Sequence, residues 1–440
     1  MDMLTGDEVV IVGAGPGGLC LAGELALAGI RCVALERRTE GTKESRALAL
    51  QARTLELLAL RGLDRPFLER GNPVDHFRLA LGSARIDLDG LDTDYRQVNI
   101  CPQHFIEHVL ETRAVANGAR VERGTEVLGV RDAGDHVVVR FRDADGTRER
   151  SAAWVVGCDG TNSVTRNSAG IQFPGHPYPY HVVFADARLK RTPGHGVYLH
   201  VSNAGLGVSF SFGDGYWRIG SLERLPLKTP GRVPLEEVAA ALQRVFGQDV
   251  GPHDPLWTSR AIFRVGNASS YRLGRIMVLG DAAHVQSPLG GQGLNLALQD
   301  AMNLGWKLAA VMKGEAADDL LDTYDAERRS VARMVLGGTD FATRFLMSAG
   351  RPQRVLRRVA IPLVLSVPVL HALTAEYVSG LRFSYSAPDA GNSAVKSHRG
   401  LRVPNIKLCD RENAATFALH GLFRTGKFVL IDQGDGVLSK

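Results

Sequence analysis

The hydrophobic pattern of the first forty residues changes period twice. Glu8-Val-Val-Ile-Val12 is a short unbroken apolar run, the pattern of a parallel strand buried on both faces. Leu19 to Leu27 repeats its apolar residues at helical spacing and ends before Gly29, a natural C-cap. Arg31 to Glu36 returns to a strand pattern, so the spacing predicts a βαβ unit within about 30 residues. Arg53 to Leu60 and Gln103 to Ala116 read as helices. Val137 to Phe141 and Ala152 to Gly157 read as strands joined through the turn Asp143-Ala-Asp-Gly146. From about Phe173 to Val265 the texture changes to short alternating runs between glycines, such as Val197 to Val201, Val208 to Phe212 and Tyr216 to Ile219. That pattern predicts a mostly antiparallel sheet and a separate domain. Arg275 to Leu279 is again a buried strand, and Leu294 to Val311 a long helix.

Length and composition narrow the function. At 440 residues the chain suits two or three domains, and 45% hydrophobic against 22% charged residues excludes long disorder. A net charge of +5 without a Lys/Arg-dense arm argues against a nucleic-acid partner and accommodates phosphates in a cleft. The five cysteines (Cys20, Cys32, Cys101, Cys158 and Cys409) are scattered, with no CxxC pair and no paired histidine spacing. They read as reduced thiols of a cytoplasmic protein, with no metal site. A strand starting within the first ten residues leaves no room for a secretory signal. Val359 to Leu373 is apolar but broken by Pro362 and Pro368, and shorter than the roughly 20 residues of a membrane span. It reads as a helix packed between domains, without stable membrane insertion; the preceding Arg351, Arg354, Arg357 and Arg358 leave an amphipathic, membrane-surface helix as the alternative.

Three motifs carry chemistry. Gly13-Ala-Gly15-Pro16-Gly17-Gly18 lies between strand and helix. Gly13 permits the tight turn, Gly15 lets the backbone approach a pyrophosphate, and Gly18 lets helix and strand pack closely. Glu36, ending the second strand, is placed to accept hydrogen bonds from an adenosine ribose. In the second motif a strand runs into Asp159-Gly-Thr-Asn-Ser163-Val-Thr-Arg166; read alone, it is also compatible with a plain turn and a capping Asp. The third is Gly280-Asp281-Ala-Ala-His284, followed by Pro288-Leu-Gly-Gly291-Gln-Gly293-Leu294-Asn295. Here a carboxylate stands at the C-terminal end of a strand, and glycines clear the start of the next helix for an electron-rich ring.

These motifs, in this order, resemble the flavoprotein aromatic hydroxylases, the class A monooxygenases of the para-hydroxybenzoate hydroxylase fold. The closest likeness is to actinobacterial hydroxylases of polyketides and antibiotics, including rifampicin monooxygenase. The resemblance runs from about Glu8 to Met334 and includes Ser45-Arg-Ala, Arg53-Thr-Leu-Glu56 and Tyr324-Asp-Ala-Glu-Arg328. It implies an α/β fold. A discontinuous Rossmann-like FAD-binding domain would span residues 1–172 and 275–391, the second part including interdomain helices. A mostly antiparallel substrate domain would be inserted at 173–274, with 76–95 read with either. Residues 392–440 read as a short, incomplete thioredoxin-like segment.

By the same resemblance, Glu36 would bind the adenosine ribose, and Arg37 counts among the cofactor contacts. Arg46 and Gln103 would sit beside the FAD phosphates and flavin, Arg46 also contacting the nicotinamide cofactor. Val127 would meet the adenine through its backbone. Asp159 would serve FAD and the nicotinamide cofactor, and Asp281 with Gly280 the ribityl chain. Pro288, Gly291, Leu294 and Asn295 would border the isoalloxazine. His200, Phe210, Phe212 and Trp217 are pocket candidates by position only, while Cys158, His104 and His284 read as structural.

The implied reaction is reduction of FAD by NADPH or NADH, addition of O2 at flavin C4a, and oxygen transfer to a polycyclic aromatic. With one glycine fingerprint, the nicotinamide cofactor would dock transiently. The protein would act as a monomer or homodimer. Baeyer–Villiger or epoxidising oxygenation, a flavin reductase or dehydrogenase, and a non-catalytic flavin module remain as alternatives.

Overall fold

The structure is a computed structural model that describes residues 8–41, 47–79, 81, 84–194, 196–224, 228–385, 400–409 and 416–430. Its centre is the βαβ unit. Val9–Val12 pairs in parallel with Cys32–Glu36 on one side and Trp154–Gly157 on the other. Arg120–Arg123, Ile276–Val278 and the antiparallel edge strand Arg272–Leu273 complete a six-stranded sheet.

Alternation along the first strand shows why it is apolar throughout. Val9 and Ile11 face a helical layer led by Leu19, Leu21 and Leu25 of helix Pro16–Leu27 and Leu298, Leu304 and Leu308 of helix Gln292–Met312. Val10 and Val12 face a three-stranded antiparallel sheet through Val127, Val139 and Phe141. Each such side chain, fully withdrawn from water, contributes about 1.5–3 kcal/mol.

That second sheet corrects one expectation. The Asp143–Gly146 turn joins Val137–Asp143 to Gly146–Ala152, not to the strand of the central sheet. Only after Ala153 does the chain enter Trp154–Gly157. Thr147-Arg-Glu-Arg-Ser151 carries no apolar alternation because much of this strand is exposed to water, so periodicity alone passes over it.

The inserted region forms an eight-stranded sheet built around two long strands, Gly175–Leu189 and Pro252–Asn267. His76–Leu79, Arg85–Asp87 and His284–Val285 join it from the flanking sequence. One face is covered by helix Leu235–Phe246, which packs on Val183, Ala185 and Ile219. The other face turns toward the central α/β layers. It packs there on Leu48 and Ala49 at one end and on Leu289 and Leu346 at the other. Helix Asp322–Met347 spans the two halves.

The apolar Val359 to Leu373 segment is not a helix enclosed between domains. Arg351–Ser366 and Pro368–Ser379 are two helices meeting at 96°, and no single helix among the described residues is long and apolar enough to cross a membrane. The first of them buries only Arg357.

Candidate active site

The glycine loop is shaped by what each β-carbon would strike. On Gly13 (φ +101°) it would lie 2.6 Å from the Cys158 carbonyl oxygen, and on Gly18 2.1 Å from the Gly13 carbonyl oxygen. Both glycines are closed in by backbone, so no side chain fits. On Gly15, by contrast, it would meet no described atom within 4 Å, and on Gly17 it would strike the Leu279 side chain. Helix Pro16–Leu27 starts at Gly15 without a side-chain cap, leaving its first N–H groups directed at the open side of the loop. The open face at Gly15 and the uncapped helix start fit a pyrophosphate.

Glu36 is 5% exposed. Its Oε2 accepts from the Ala14 N–H at 3.0 Å, and its Oε1 from the N–H and Nε of Arg38 at 3.0 and 2.8 Å. Burial raises its pKa, yet hydrogen bonds from Arg38 and Ala14 outweigh that and hold the carboxyl below its ordinary value. It is an ionised acceptor beside the loop, suited to ribose hydroxyls. Arg37 is exposed; the sequence reading missed Arg38, whose signal is a base two residues beyond the strand-end acid.

The three motifs meet in space. Cys158 and Asp159, ending Trp154–Gly157, abut Gly13. Asp159 Oδ2 accepts from the Thr165 N–H and hydroxyl, while its buried Oδ1 has no partner among the described residues. Arg166, also unassigned from sequence, lies over the Phe173 ring at 4.1 Å and donates to the Ala282 carbonyl at 3.0 Å. It joins the second motif to the third. Burial first, then neighbouring carboxylates, push the Cys158 thiol well up, so it is inert.

Gly280–Ala282 is a single tight turn, with Asp281 exposed at the strand end. Beneath it lies Asp300, wholly buried. Its Oδ2 accepts from the Gly280 N–H at 3.2 Å and pairs with His284 Nε2 at 2.6 Å; its Oδ1 accepts from Arg328 Nε at 2.6 Å. Burial opposes ionisation of Asp300, but Arg328 and His284 together hold its pKa down. His284 is therefore part of the support for this turn.

Gly291 (φ +63°) precedes the long helix, again without a side-chain cap. Asn295 accepts from the Gln51 N–H at 2.9 Å and donates to the Ala49 and Gly291 carbonyls at 2.8 Å. It clamps the glycine turn to the strand Ala49–Leu50. Pro288 and Gly291 are partly exposed there, and Leu294 is buried in the core. Gln103 accepts from the Ala47 N–H and donates to Glu107. Val127 is buried in the second sheet, whose approach is tied to Glu36 by the Thr125 N–H. Arg46 lies outside the described residues.

In the inserted sheet, Phe210 and Phe212 face the cofactor half, packed with Ala49 and Val197. His200 and Trp217 do not. His200 pairs across to Gly207, and its ring lies 5.5 Å from Phe246 of the covering helix; Trp217 shares its face with Ile219 and its cross-strand partner Ala187. In Val197–Val201 only the odd positions turn inward. The inward face instead carries Phe184, Leu199 and Phe263, partly exposed and packed against the same buried cluster as Leu289. By the same alternation Val208, paired with Leu199, points inward. The inward face also carries the buried ion pair Asp186–Arg218, with Trp257 donating to Asp186 at 2.7 Å.

Comparison with known proteins supplies the family. Residues 7–339 match the FAD binding domain family. The chain is 39% identical to a rifampicin monooxygenase of Streptomyces venezuelae, covering 97% of this chain and 87% of that protein. It is 36% identical to an uncharacterized aromatic compound monooxygenase of Bacillus subtilis, over 96% and 85% respectively. The solved structure of the anhydrotetracycline hydroxylase OxyS of Streptomyces rimosus superposes with a TM-score of 0.85 at 37% identity, over 96% of this chain and 84% of that one. The chain belongs to the FAD binding domain family and is an FAD-dependent monooxygenase of the aromatic hydroxylase type.

Proposed function

We propose that this enzyme hydroxylates a polycyclic aromatic of polyketide or antibiotic type, drawing electrons from NADPH or NADH. The observation that carries the reading is the inward face of the inserted sheet. Phe184, Leu199 and Phe263 are apolar and partly exposed, and pack on the cluster that also takes Leu289 of the loop Pro288–Gly291. Such a face binds a large flat hydrocarbon skeleton by area and shape. The names of the related rifampicin and anhydrotetracycline enzymes point to the same substrate class.

Bound FAD supplies the redox and oxygen-transfer chemistry. Gly13 to Gly18 would hold it at the pyrophosphate, Glu36 at the ribose, Val127 at the adenine and Asp281 at the ribityl chain. Pro288, Gly291, Leu294 and Asn295 would hold the ring end, where the uncapped helix start would offer partial positive charge to an electron-rich edge. Arg46 remains our assignment for contact with the nicotinamide cofactor. An electron-rich phenol needs binding and exclusion of water more than an acid–base pair, so an apolar roof suffices.

The test is NADPH oxidation by purified protein in air, with and without polycyclic phenols, and product mass. Substrate-stimulated oxidation with gain of one oxygen atom at an aromatic carbon is the expected result. Products formed equally well without oxygen would overturn it, leaving a reductase or dehydrogenase on this fold. Insertion of oxygen into a ring C–C bond would replace hydroxylation by a Baeyer–Villiger reaction.

A further inference from the structure

We propose that the bent helix pair Arg351–Ser366 and Pro368–Ser379 is a docking surface for an anionic lipid membrane. The first helix is fixed to the body on one side only. Arg357, buried, donates to the carbonyls of Phe345, Leu346 and Ser348 at 2.7–2.9 Å, capping the C-terminal end of helix Asp322–Met347, and Ile361 packs beside Leu346 and Met347. The opposite side is apolar and bare: Val355, Val359 and Leu363 are 64%, 61% and 62% exposed. Their spacing of four residues places them in one outward stripe. Beyond the bend Val369 is likewise bare, 67% exposed. A contiguous apolar surface of this kind marks an interaction site.

Charge says what the partner is. Arg351 and Arg358 stand exposed at the rim of the stripe, and Arg354 is held nearby by Asn203. No Asp or Glu occurs from Arg351 to Ala375. A second copy docked about a two-fold axis would set these arginines against one another with no acid in the stretch to pair with them. A sheet of anionic headgroups over acyl chains meets both features, arginines at the headgroups and valines and leucines below them. The helices have 16 and 12 residues and meet at 96°; neither alone reaches the length of a span, and the proposal lays both along the bilayer surface. The described segments that follow leave the stripe bare. Phe423 accepts from Arg61 and Phe428 packs on Trp306, both on the cofactor half.

The proposal is tested by flotation of the FAD-loaded enzyme with phosphatidylcholine vesicles, with and without phosphatidylglycerol. Binding is expected only with the anionic lipid, and to weaken as salt is raised. Val359→Glu with Leu363→Glu should lower it about a hundredfold, and Arg351→Gln with Arg358→Gln about thirtyfold. Flavin content and melting temperature should be unchanged in both. Should the glutamate variant fail to fold, the glutamine variant decides. Absence of binding to anionic vesicles, or glutamine-variant binding equal to the parent, would overturn the proposal. So would a dimer in sedimentation that the glutamate variant dissociates.

Discussion

The cofactor half and the inserted sheet are both antechambers to one reaction, but they tolerate change very differently. Around the glycine loop, backbone sits against backbone, with the Gly18 β-carbon position 2.1 Å from a carbonyl oxygen. Around Asp300 the Gly280 N–H, His284 Nε2 and Arg328 Nε all bond to one buried carboxylate. The roof, by contrast, is held by alternating apolar side chains, and its inward Phe184, Leu199 and Phe263 are only partly buried. Backbone contacts and buried charges admit few residue types, whereas an apolar face admits many of similar size. The first region therefore keeps a cofactor, and the second is free to choose a substrate.

The largest effect should come from breaking the first region where it has no slack. Gly18→Val places a branched side chain against the Gly13 carbonyl, which cannot move without opening the loop. The variant should purify without flavin, read directly from the visible spectrum. A yellow protein of normal flavin content would mean the loop is not the pyrophosphate site.

Asp300→Asn keeps the shape of the side chain and removes its charge, stranding Arg328 and His284. A cost of about 3–5 kcal/mol is expected, measured by urea unfolding. The sign of its pH dependence follows from the direction of the Asp300 shift. Its folded pKa is held below the ordinary carboxylate value, so its stabilisation is complete above that value and lost as pH falls through the folded one. Acid destabilisation of the parent should thus be steeper than that of the variant.

This contrast also explains what could be read in the sequence. The glycine loop, Glu36 and the Gly280 and Gly291 turns were legible because a positive φ or a strand-end acid restricts the residue types allowed. Asp300, Arg38 and the role of Arg166, itself seen only as the end of a motif, were not, since each acts through partners distant in the chain or through the conformation of a loop. His200 and Trp217 were misjudged for another reason. They were named by their position in the inserted sheet alone, but a one-residue difference in strand position decides which face a side chain joins. Leu199 and Val208, plain aliphatics, hold the inward positions instead.

Changes in the roof should separate substrate handling from flavin binding. Val208→Trp adds bulk on the inward face, opposite Gly220 and beside Leu199. It is expected to lower kcat/KM for a polycyclic substrate by about tenfold or more, or to shift the site of oxygenation. Flavin content should be unchanged. Equal loss of flavin would show that roof and cofactor site are not separable.

The smallest effect sharpens the comparison most. His200 is the residue that chemistry alone would choose as a catalytic base, and burial already pushes its imidazole pKa below the ordinary value. Its neighbours are Tyr198 and Phe246, on the face covered by helix Leu235–Phe246. His200→Ala should therefore cost about 1 kcal/mol of stability, from lost ring contacts. It should leave kcat/KM within about twofold at every pH. A tenfold fall in kcat/KM with the loss of a pH-dependent limb, at unchanged stability, would place His200 at the substrate and reverse the assignment of the two faces.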